Sequence, residues 1–429
     1  MEFKPTSDFL NVLISRGFVQ DCTDLEGLDR VFAKTPQSAY IGFDATADSL
    51  HVGSLIQIML LRWLQKTGHR PIVLMGGGTT KIGDPSGKDE SRKLLSSNII
   101  EQNIKGIRNI FEAYIQFGDA GNGAIMSNNA AWLDQLNYVE FLRNYGRHFT
   151  VNRMLSFESV KRRLDRQQPL TFLEFNYMLL QAYDFMELNA RFDCRLQMGG
   201  SDQWGNIVNG VDLTRRINGS EVYGLTSPLL QQADGSKMGK TASGAVWLNP
   251  ERISAFDFWQ FWRNTADADT GRFLLLFTEI DLDECHRMAT LEGSELNVAK
   301  AMLATEVTTL AFGRTAAENV EKAARALFGS ERSNGGGKQR DRSQMDDRLP
   351  VCYVEITDAE DRDVSVVRLF VQSGLVKSGK EAKRLIQDGG ARVDHVAFSE
   401  PALRISHERL SEGVVLSAGK KRHVRVLAG

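Results

Sequence analysis

Cysteine is scarce in this chain of 429 residues: Cys22, Cys194, Cys285 and Cys352 lie far apart, and no Cys-x-x-Cys pair occurs. Such spacing supplies neither a zinc ligand set nor the bridge framework of a small secreted scaffold, so reduced structural thiols are expected. Long apolar runs are missing as well. No stretch approaches the roughly 18 apolar residues of a membrane-spanning helix. The opening MEFKPTSD has no apolar signal core and carries acidic residues early. These absences predict a soluble, cytoplasmic protein with no membrane partner. Nor does charge of one sign dominate, because 52 Lys and Arg stand against 54 Asp and Glu. A global basic field of the kind that attracts nucleic acid is therefore excluded.

What is present is an ordinary globular composition, 42% hydrophobic and 25% charged with 38 Gly and 9 Pro, which excludes collagen-like and wholly disordered chains. At roughly 100–200 residues per domain the length predicts about three domains. The charge is unevenly spread. From Asp361 to Gly429 there are 13 Lys and Arg against 8 Asp and Glu, so a basic tail sits on an acidic body.

Apolar spacing predicts an amphipathic helix over 8–19 and a short buried strand at SAYIGF, 38–43, followed by a loop at 44–49. A helix from Leu50 to Gly68 and a second strand, PIVLM, with a triple-glycine exit complete a strand, helix, strand crossover. In open parallel sheets ligands bind at the carboxyl ends of strands, so Gly42-Phe43-Asp44 and Gly76-Gly77-Gly78 point toward one crevice. CRLQMGGSDQWGN, 194–206, repeats the pattern of strand, glycine turn and helix start. Residues 250–329 carry long amphipathic stretches and little strand signal, predicting helices. The polar, glycine-rich segment that follows reads as a flexible linker. After it come about 80 residues, enough to fold alone.

Four elements could carry chemistry. His51-Val52-Gly53-Ser54 opens the helix after the first strand, where backbone N–H groups favour an anion, Gly53 permits close approach and His51 can donate to phosphate. Alone, a His in a helix's first turn is more often a cap or a surface residue. Lys237-Met238-Gly239-Lys240-Thr241 lies in a polar loop that could bring two cations to a phosphoryl group as its charge develops. Alone, it reads more readily as a solvated basic loop. Tyr177, Gln181 and Asp184 stand at i, i+4 and i+7 and share a helix face. Such polar groups either meet a polar ligand or cap backbone and face water, and spacing leaves both readings open. Gly199-Gly200 before Asp202 permits close approach beside a ribose-binding carboxylate, although Gly-Gly before a helix is common in any sheet protein.

Together and in this order, the four elements resemble those of class I aminoacyl-tRNA synthetases. YIGFDATADSLHVGS, KIGDPSG, EFNYMLLQAYDF and LQMGGSDQWGN resemble, in detail, the bacterial-type tyrosyl-tRNA synthetases, over nearly the whole chain. His51–Ser54 is similar to the HIGH signature and Lys237–Thr241 to the KMSKS signature. The resemblance implies a Rossmann-like parallel-sheet α/β catalytic domain at 1–245. It further implies a helical anticodon-side domain at 246–330, the linker at 331–350, and a small α+β S-four-type RNA-binding domain at 351–429.

The implied activity joins L-tyrosine to ATP, with Mg2+ accompanying ATP and no dedicated protein metal site, and then charges the tRNA specific for tyrosine. The resemblance assigns Tyr40 and Asp184 to the substrate phenol, and Asp84, Tyr177 and Gln181 to its ammonium, with Gln197 also in the tyrosine site. Thr46, His51 and Ser54 would meet the triphosphate, and Lys237 and Lys240 would steady departing pyrophosphate. Gly42, Asp44, Gly53, Gly200, Asp202 and Gln203 would complete the ATP site. Arg215 and Arg216 would meet the acceptor stem of a tRNA bound across a homodimer. On the basic tail, Lys377, Lys380, Lys383, Arg384, Lys420, Lys421 and Arg422 are the RNA-binding candidates, although a basic run is usually a solvated face.

Three departures from the signatures stand out. Ser54 replaces the second histidine, Gly239 the first serine and Thr241 the last, none of which removes a charged group. Ala45 stands where proline is frequent, which predicts a slightly looser loop, and His395 takes a turn position often held by glycine. Two competing readings are a different adenylate-forming member of the superfamily, such as a tryptophanyl-tRNA synthetase, and an RNA-binding protein on an inactive synthetase scaffold. Tyr40 with Asp184 argues against the first, and retention of His51, Asp184, Lys237 and Lys240 against the second.

Overall fold

The computed structural model describes residues 3–85, 95–119, 121–231, 233, 235, 238–241, 244–329, 349, 351–354, 363–419 and 422–428. Lys237, Lys420 and Lys421 lie outside them. The chain divides into two compact units, one of residues 1–253 and 265–312, the other of residues 254–264 and 313–429.

The first unit is built on a six-stranded sheet comprising β1 (Asp21–Cys22), β2 (Ser38–Phe43), β3 (Arg70–Met75), β4 (Ile125–Asn128), β5 (Cys194–Gly200) and β6 (Tyr223–Ser227). Their order is β1-β6-β5-β2-β3-β4. All pairings are parallel except that of β1 with β6, a short edge the apolar pattern did not reveal. Ile72, Val73, Leu74 and Met75 are all buried, as expected for a parallel strand covered on both faces. The chain runs from β2 through β3 to β4 on one side, then returns to β5 and β6 on the other. The strand order therefore reverses between β2 and β5, and the crevice at their carboxyl ends is where such sheets bind ligands.

The helices are cut where the sequence marks them. A single 3-10 turn, Val52–Ser54, precedes the α-helix Leu55–Lys66, whose buried residues include Leu55, Ile58, Met59, Leu61 and Trp63. That helix stops before Gly68, whose φ of +88° suits glycine. The 21-residue helix Phe172–Phe192 begins in a reciprocal capping box between Thr171 and Glu174 and ends at Asp193, which adopts the left-handed conformation. The first helix is shorter than the predicted 8–19, ending at Ser15 with a left-handed Gly17 just beyond.

The predicted helical segment is shared between the units. Asp267–Phe277, Leu282–Ala289 and Leu296–Phe312 belong to the first, whereas Ala255–Arg263 and Arg314–Gly329 belong to the second. A two-strand ribbon, β7 (Lys240–Thr241) and β8 (Gly244–Ala245), is antiparallel. The second unit contains a five-stranded sheet of β9 (Val351–Val354), β11 (Ala391–Val393), β12 (Val396–Ala397), β14 (Val414–Ala418) and β15 (Arg422–Ala428). β10 (Asp363–Ser365) pairs separately with β13 (Arg404–Ser406). One face of the larger sheet buries Val366, Leu369, Phe370, Ile386 and Leu410. Val415 turns instead to Phe256, Leu349 and Val320, which explains why the helices bearing Phe256 and Val320 cluster with the tail. The Asp394–His395 turn has φ of +46° and +68°, both positive as in the tightest hairpins. Asp394 secures it by accepting from the Val415 N–H at 2.9 Å.

Candidate active site

Asp184, on the helix Phe172–Phe192, is 2% exposed. Its Oδ1 accepts from the Trp132 indole N–H at 2.7 Å and its Oδ2 from Asn129 Nδ2 at 2.9 Å. Burial pushes its pKa up to about 7, assisted by the charges of Asp44 and Glu187 and opposed by the two donated bonds. Tyr40, from the centre of β2, is 1% exposed, and its hydroxyl has no hydrogen-bond partner among the described residues. Burial first, and Asp184 second, push the Tyr40 phenol well above its ordinary range. Gln197 on β5 is equally buried, with Oε1 unpaired among the described residues. A buried hydroxyl and a buried amide oxygen left without partners are costly unless a polar ligand engages them.

A chain of polar contacts links Asp184 to Asp44. Asn129 Nδ2 also donates to Thr79 Oγ1 at 3.1 Å, Thr79 donates to Asp44 Oδ1 at 3.1 Å, and Tyr177 donates to the same oxygen at 3.3 Å. A second cluster joins Asp84 to the helix after β5. Gln203 Nε2 donates to Asp84 Oδ2 at 2.9 Å, and Asn206 donates to both Gln203 Oε1 and Gln181 Oε1 at 3.1 Å. Tyr177, Gln181 and Asp184 are thus partnered by groups that follow β2, β5 and β4 respectively. Asp202 is exposed at the 3-10 turn Ser201–Gln203, immediately beyond Gly200.

The two signature segments touch. His51 caps the 3-10 turn, its Nδ1 accepting from the Gly53 N–H at 2.9 Å, so in the neutral ring Nε2 bears the proton. Gly239 has φ of +91°, and a Cβ there would stand 3.1 Å from the Gly53 nitrogen and 3.2 Å from His51 Nδ1. Glycine at this point of the loop is therefore favoured by conformation, and a side chain there would also crowd its neighbours by a few tenths of an ångström. The Val246 N–H donates to the Gly239 carbonyl at 3.0 Å and the Val52 N–H to the Val246 carbonyl at 2.9 Å, lacing the segments together. Lys240 pairs through its backbone with Ala245. Ser54 is half-buried and makes no capping bond, while Thr46 and Gly42 are exposed.

The loop at Ala45 differs from the expected looseness. Its N–H donates to Thr80 Oγ1 at 2.9 Å and its carbonyl accepts from Asn103 Nδ2 at 2.8 Å. Proline could not make the first bond, so alanine exchanges ring rigidity for a buried tether.

Arg215 and Arg216 are exposed near the end of the helix Trp204–Asn218, and Arg215 donates to the Val222 carbonyl at 2.8 Å. Lys377, Lys380, Lys383, Arg384 and Arg422 are exposed on the second unit. Arg422 also donates to the Leu375 carbonyl at 2.6 Å, so part of its guanidinium serves the fold.

Sequence reasoning missed Asn129, Trp132 and Asn206. Asn206 stands three residues after Gln203 on the same helix start, a spacing that could have flagged it. Asn129 and Trp132 follow β4, outside every glycine-marked turn, and only the fold brings them to Asp184.

The sequence model of the family described as "tRNA synthetases class I (W and Y)" matches residues 33–329. A tyrosine-tRNA ligase of Roseobacter denitrificans is 58% identical over 429 residues, 100% of both chains. Another, of Rhodospirillum rubrum, is 57% identical over 99% of both. Among solved structures, a C-terminally truncated Aspergillus nidulans mitochondrial tyrosyl-tRNA synthetase superposes with a TM-score of 0.66 and 29% identity, covering 75% of this chain and 94% of that one. The Archaeoglobus fulgidus tyrosyl-tRNA synthetase complexed with L-tyrosine shares the fold, with a TM-score of 0.53, 18% identity, and coverage of 73% of this chain and 100% of that one. The chain belongs to the class I tRNA synthetases, in their tyrosyl branch.

Proposed function

We propose that the crevice between β2 and β5 is where this tyrosine-tRNA ligase condenses L-tyrosine with MgATP and then charges its tRNA. The observation that carries the reading is the Tyr40 hydroxyl, buried without a partner beside the Asp184 carboxylate. A substrate phenol satisfies both, because its oxygen accepts from Tyr40 while its proton goes to Asp184. Phenylalanine would leave the Tyr40 hydroxyl unpaired and offer Asp184 no donor beyond Trp132 and Asn129, so discrimination comes from desolvation rather than from size.

Asp84, Tyr177 and Gln181 hold the substrate ammonium in this reading, with Gln197 beside them, and Asp202 and Gln203 meet ribose and the reacting carboxylate. Gly42, Asp44, Gly53 and Gly200 admit the nucleotide. A tyrosine carboxylate oxygen attacks the α-phosphorus in line, the bond to the bridging oxygen breaks, and pyrophosphate leaves with Mg2+. No enzyme nucleophile takes part. Thr46, His51 and Ser54 donate to the triphosphate, and Lys237 and Lys240 neutralise charge as it gathers on the leaving group. The ribose hydroxyl of the terminal tRNA adenosine then attacks the tyrosyl carbonyl, and AMP departs.

The domain roles follow the same reading. Residues 1–245 are catalytic and 246–330 face the anticodon side. Residues 331–350 link them to an S-four-type RNA-binding domain at 351–429. That last assignment is supported by the small sheet-and-helix fold and by 13 basic against 8 acidic residues from Asp361 onward. Arg215, Arg216, Lys377, Lys380, Lys383, Arg384, Lys420, Lys421 and Arg422 are the tRNA-binding candidates. A homodimer is supported by Tyr138, Val139, Val151, Leu164, Phe172 and Leu173, each 44–71% exposed on consecutive helices. Cytoplasmic location fits the activity. Among the described residues no helix is long and apolar enough to cross a membrane.

The test is a Lys237→Ala, Lys240→Ala double variant. Loss of about 100-fold or more in adenylation rate with tyrosine affinity retained supports the assignment, and an undiminished rate refutes it.

A further inference from the structure

The helix Phe172–Phe192 grips Trp132 at two points. Asp184 receives the indole N–H at 2.7 Å, and the Arg191 guanidinium, one heptad further along the same face, sits over the indole ring 5.1 Å from its centroid. Arg191 is itself fixed by a 2.7 Å bond from its Nε to Glu187 Oε2. Glu187 Oε1 in turn accepts the Tyr183 hydroxyl at 2.7 Å. Trp132 is 4% exposed and Tyr183 6%, whereas the Arg191 side chain is 48% exposed. A half-exposed ion pair thus clamps a buried ring whose edge holds the crevice carboxylate.

We infer that Arg191 is a positioning residue for phenol recognition, acting on Asp184 through the ring of Trp132. The inference rests on the assignment of Asp184 to the substrate phenol. Two physical effects carry it. A cation on the indole face holds the ring plane and withdraws electron density from the N–H, strengthening the bond to Asp184. The same cation neutralises Glu187, whose charge otherwise disfavours ionisation of Asp184. Both effects keep the carboxylate ionised and aimed at the phenol. Neither touches the nucleotide, so the consequence falls on tyrosine alone.

The experiment measures pyrophosphate exchange in the full-length enzyme for Arg191→Met, Arg191→Lys and Asp184→Asn, with tyrosine and phenylalanine as substrates. Arg191→Met is expected to raise the tyrosine KM about 2- to 5-fold. The tyrosine-to-phenylalanine ratio of kcat/KM should fall with it, while the ATP KM and the kcat at saturating tyrosine hold. Arg191→Lys, which keeps the cation, should recover most of the ratio. If Met and Lys behave alike, or Met changes nothing while Asp184→Asn collapses the ratio, the inference is overturned and the phenol assignment survives. If Asp184→Asn itself leaves the ratio unchanged, the phenol assignment falls instead.

Discussion

Trp132 donates its indole N–H to Asp184 Oδ1 across 2.7 Å, and both residues are almost wholly buried. This bond, with that from Asn129, is what opposes the burial that would otherwise keep the carboxyl neutral. Hydrogen bonds to charged groups contribute about 1.5–3 kcal/mol. Trp132→Phe, which keeps the ring and loses the donor, is therefore expected to raise the tyrosine KM about 10- to 100-fold at neutral pH, with the ATP KM unchanged. Steady-state exchange kinetics check it, and equal shifts in both KM values would point to general disruption.

Asp184 at about pH 7 gives the tyrosine step its own pH dependence. The ionised carboxylate is the stronger acceptor for the phenol O–H, whereas the acid form offers a weaker carbonyl oxygen and a competing donor. As pH falls through 7 the acid form accumulates and kcat/KM for tyrosine should decline. Asp184→Asn should flatten that limb as well as lower the rate. A limb that persists in the variant would assign the titration to another group.

Restoring the signature serine at position 239 is expected to harm the enzyme. Gly239 has φ of +91° and the Gly53 nitrogen lies 3.1 Å from where a Cβ would stand. A non-glycine residue held in such a conformation costs roughly 1–3 kcal/mol. Gly239→Ser should therefore loosen the 237–241 loop from His51–Gly53 and raise the ATP KM about 5-fold or more. Calorimetric titration with a non-hydrolysable ATP analogue would register the loss, and unchanged affinity would refute the constraint.

His69 supplies a stability prediction independent of catalysis. Its ring packs against Phe32 at 4.7 Å and Phe9 at 5.7 Å, and its Nδ1 accepts from the Gln37 N–H at 3.1 Å. Burial lowers its pKa from the ordinary 6.5 to about 4. Between those values the unfolded chain binds the extra proton, so this group's contribution is full above about pH 6.5 and is lost as pH falls toward 4. The loss should reach about 3 kcal/mol. In urea melts, His69→Gln should weaken the decline in stability between pH 6.5 and 4 relative to the parent. An identical slope would exclude His69 as its source.

Much of the crevice could be read in advance because its chemistry is written into local pattern. Glycine exits mark the ends of β2, β3 and β5, and helical spacing put Tyr177, Gln181 and Asp184 on one face. Asn129 and Trp132 escaped because no local rule ties the residues after β4 to a helix beginning about forty positions later. Only the parallel order β2-β3-β4 does so. The predicted helical segment divides for the same kind of reason. Ala255–Arg263 and Arg314–Gly329 are distant in sequence, and Phe256 and Val320 meet beneath Val415. The tight loop at Ala45 depends on Thr80 and Asn103, again supplied from far along the chain.

The most direct measurement is pyrophosphate exchange into ATP with each standard amino acid in turn, since adenylate formation needs no tRNA. Exchange driven by tyrosine, with phenylalanine strongly rejected, is the expected result. Equal exchange with phenylalanine, or exchange driven by a different amino acid, would contradict the assignment of Tyr40 and Asp184 to the substrate phenol.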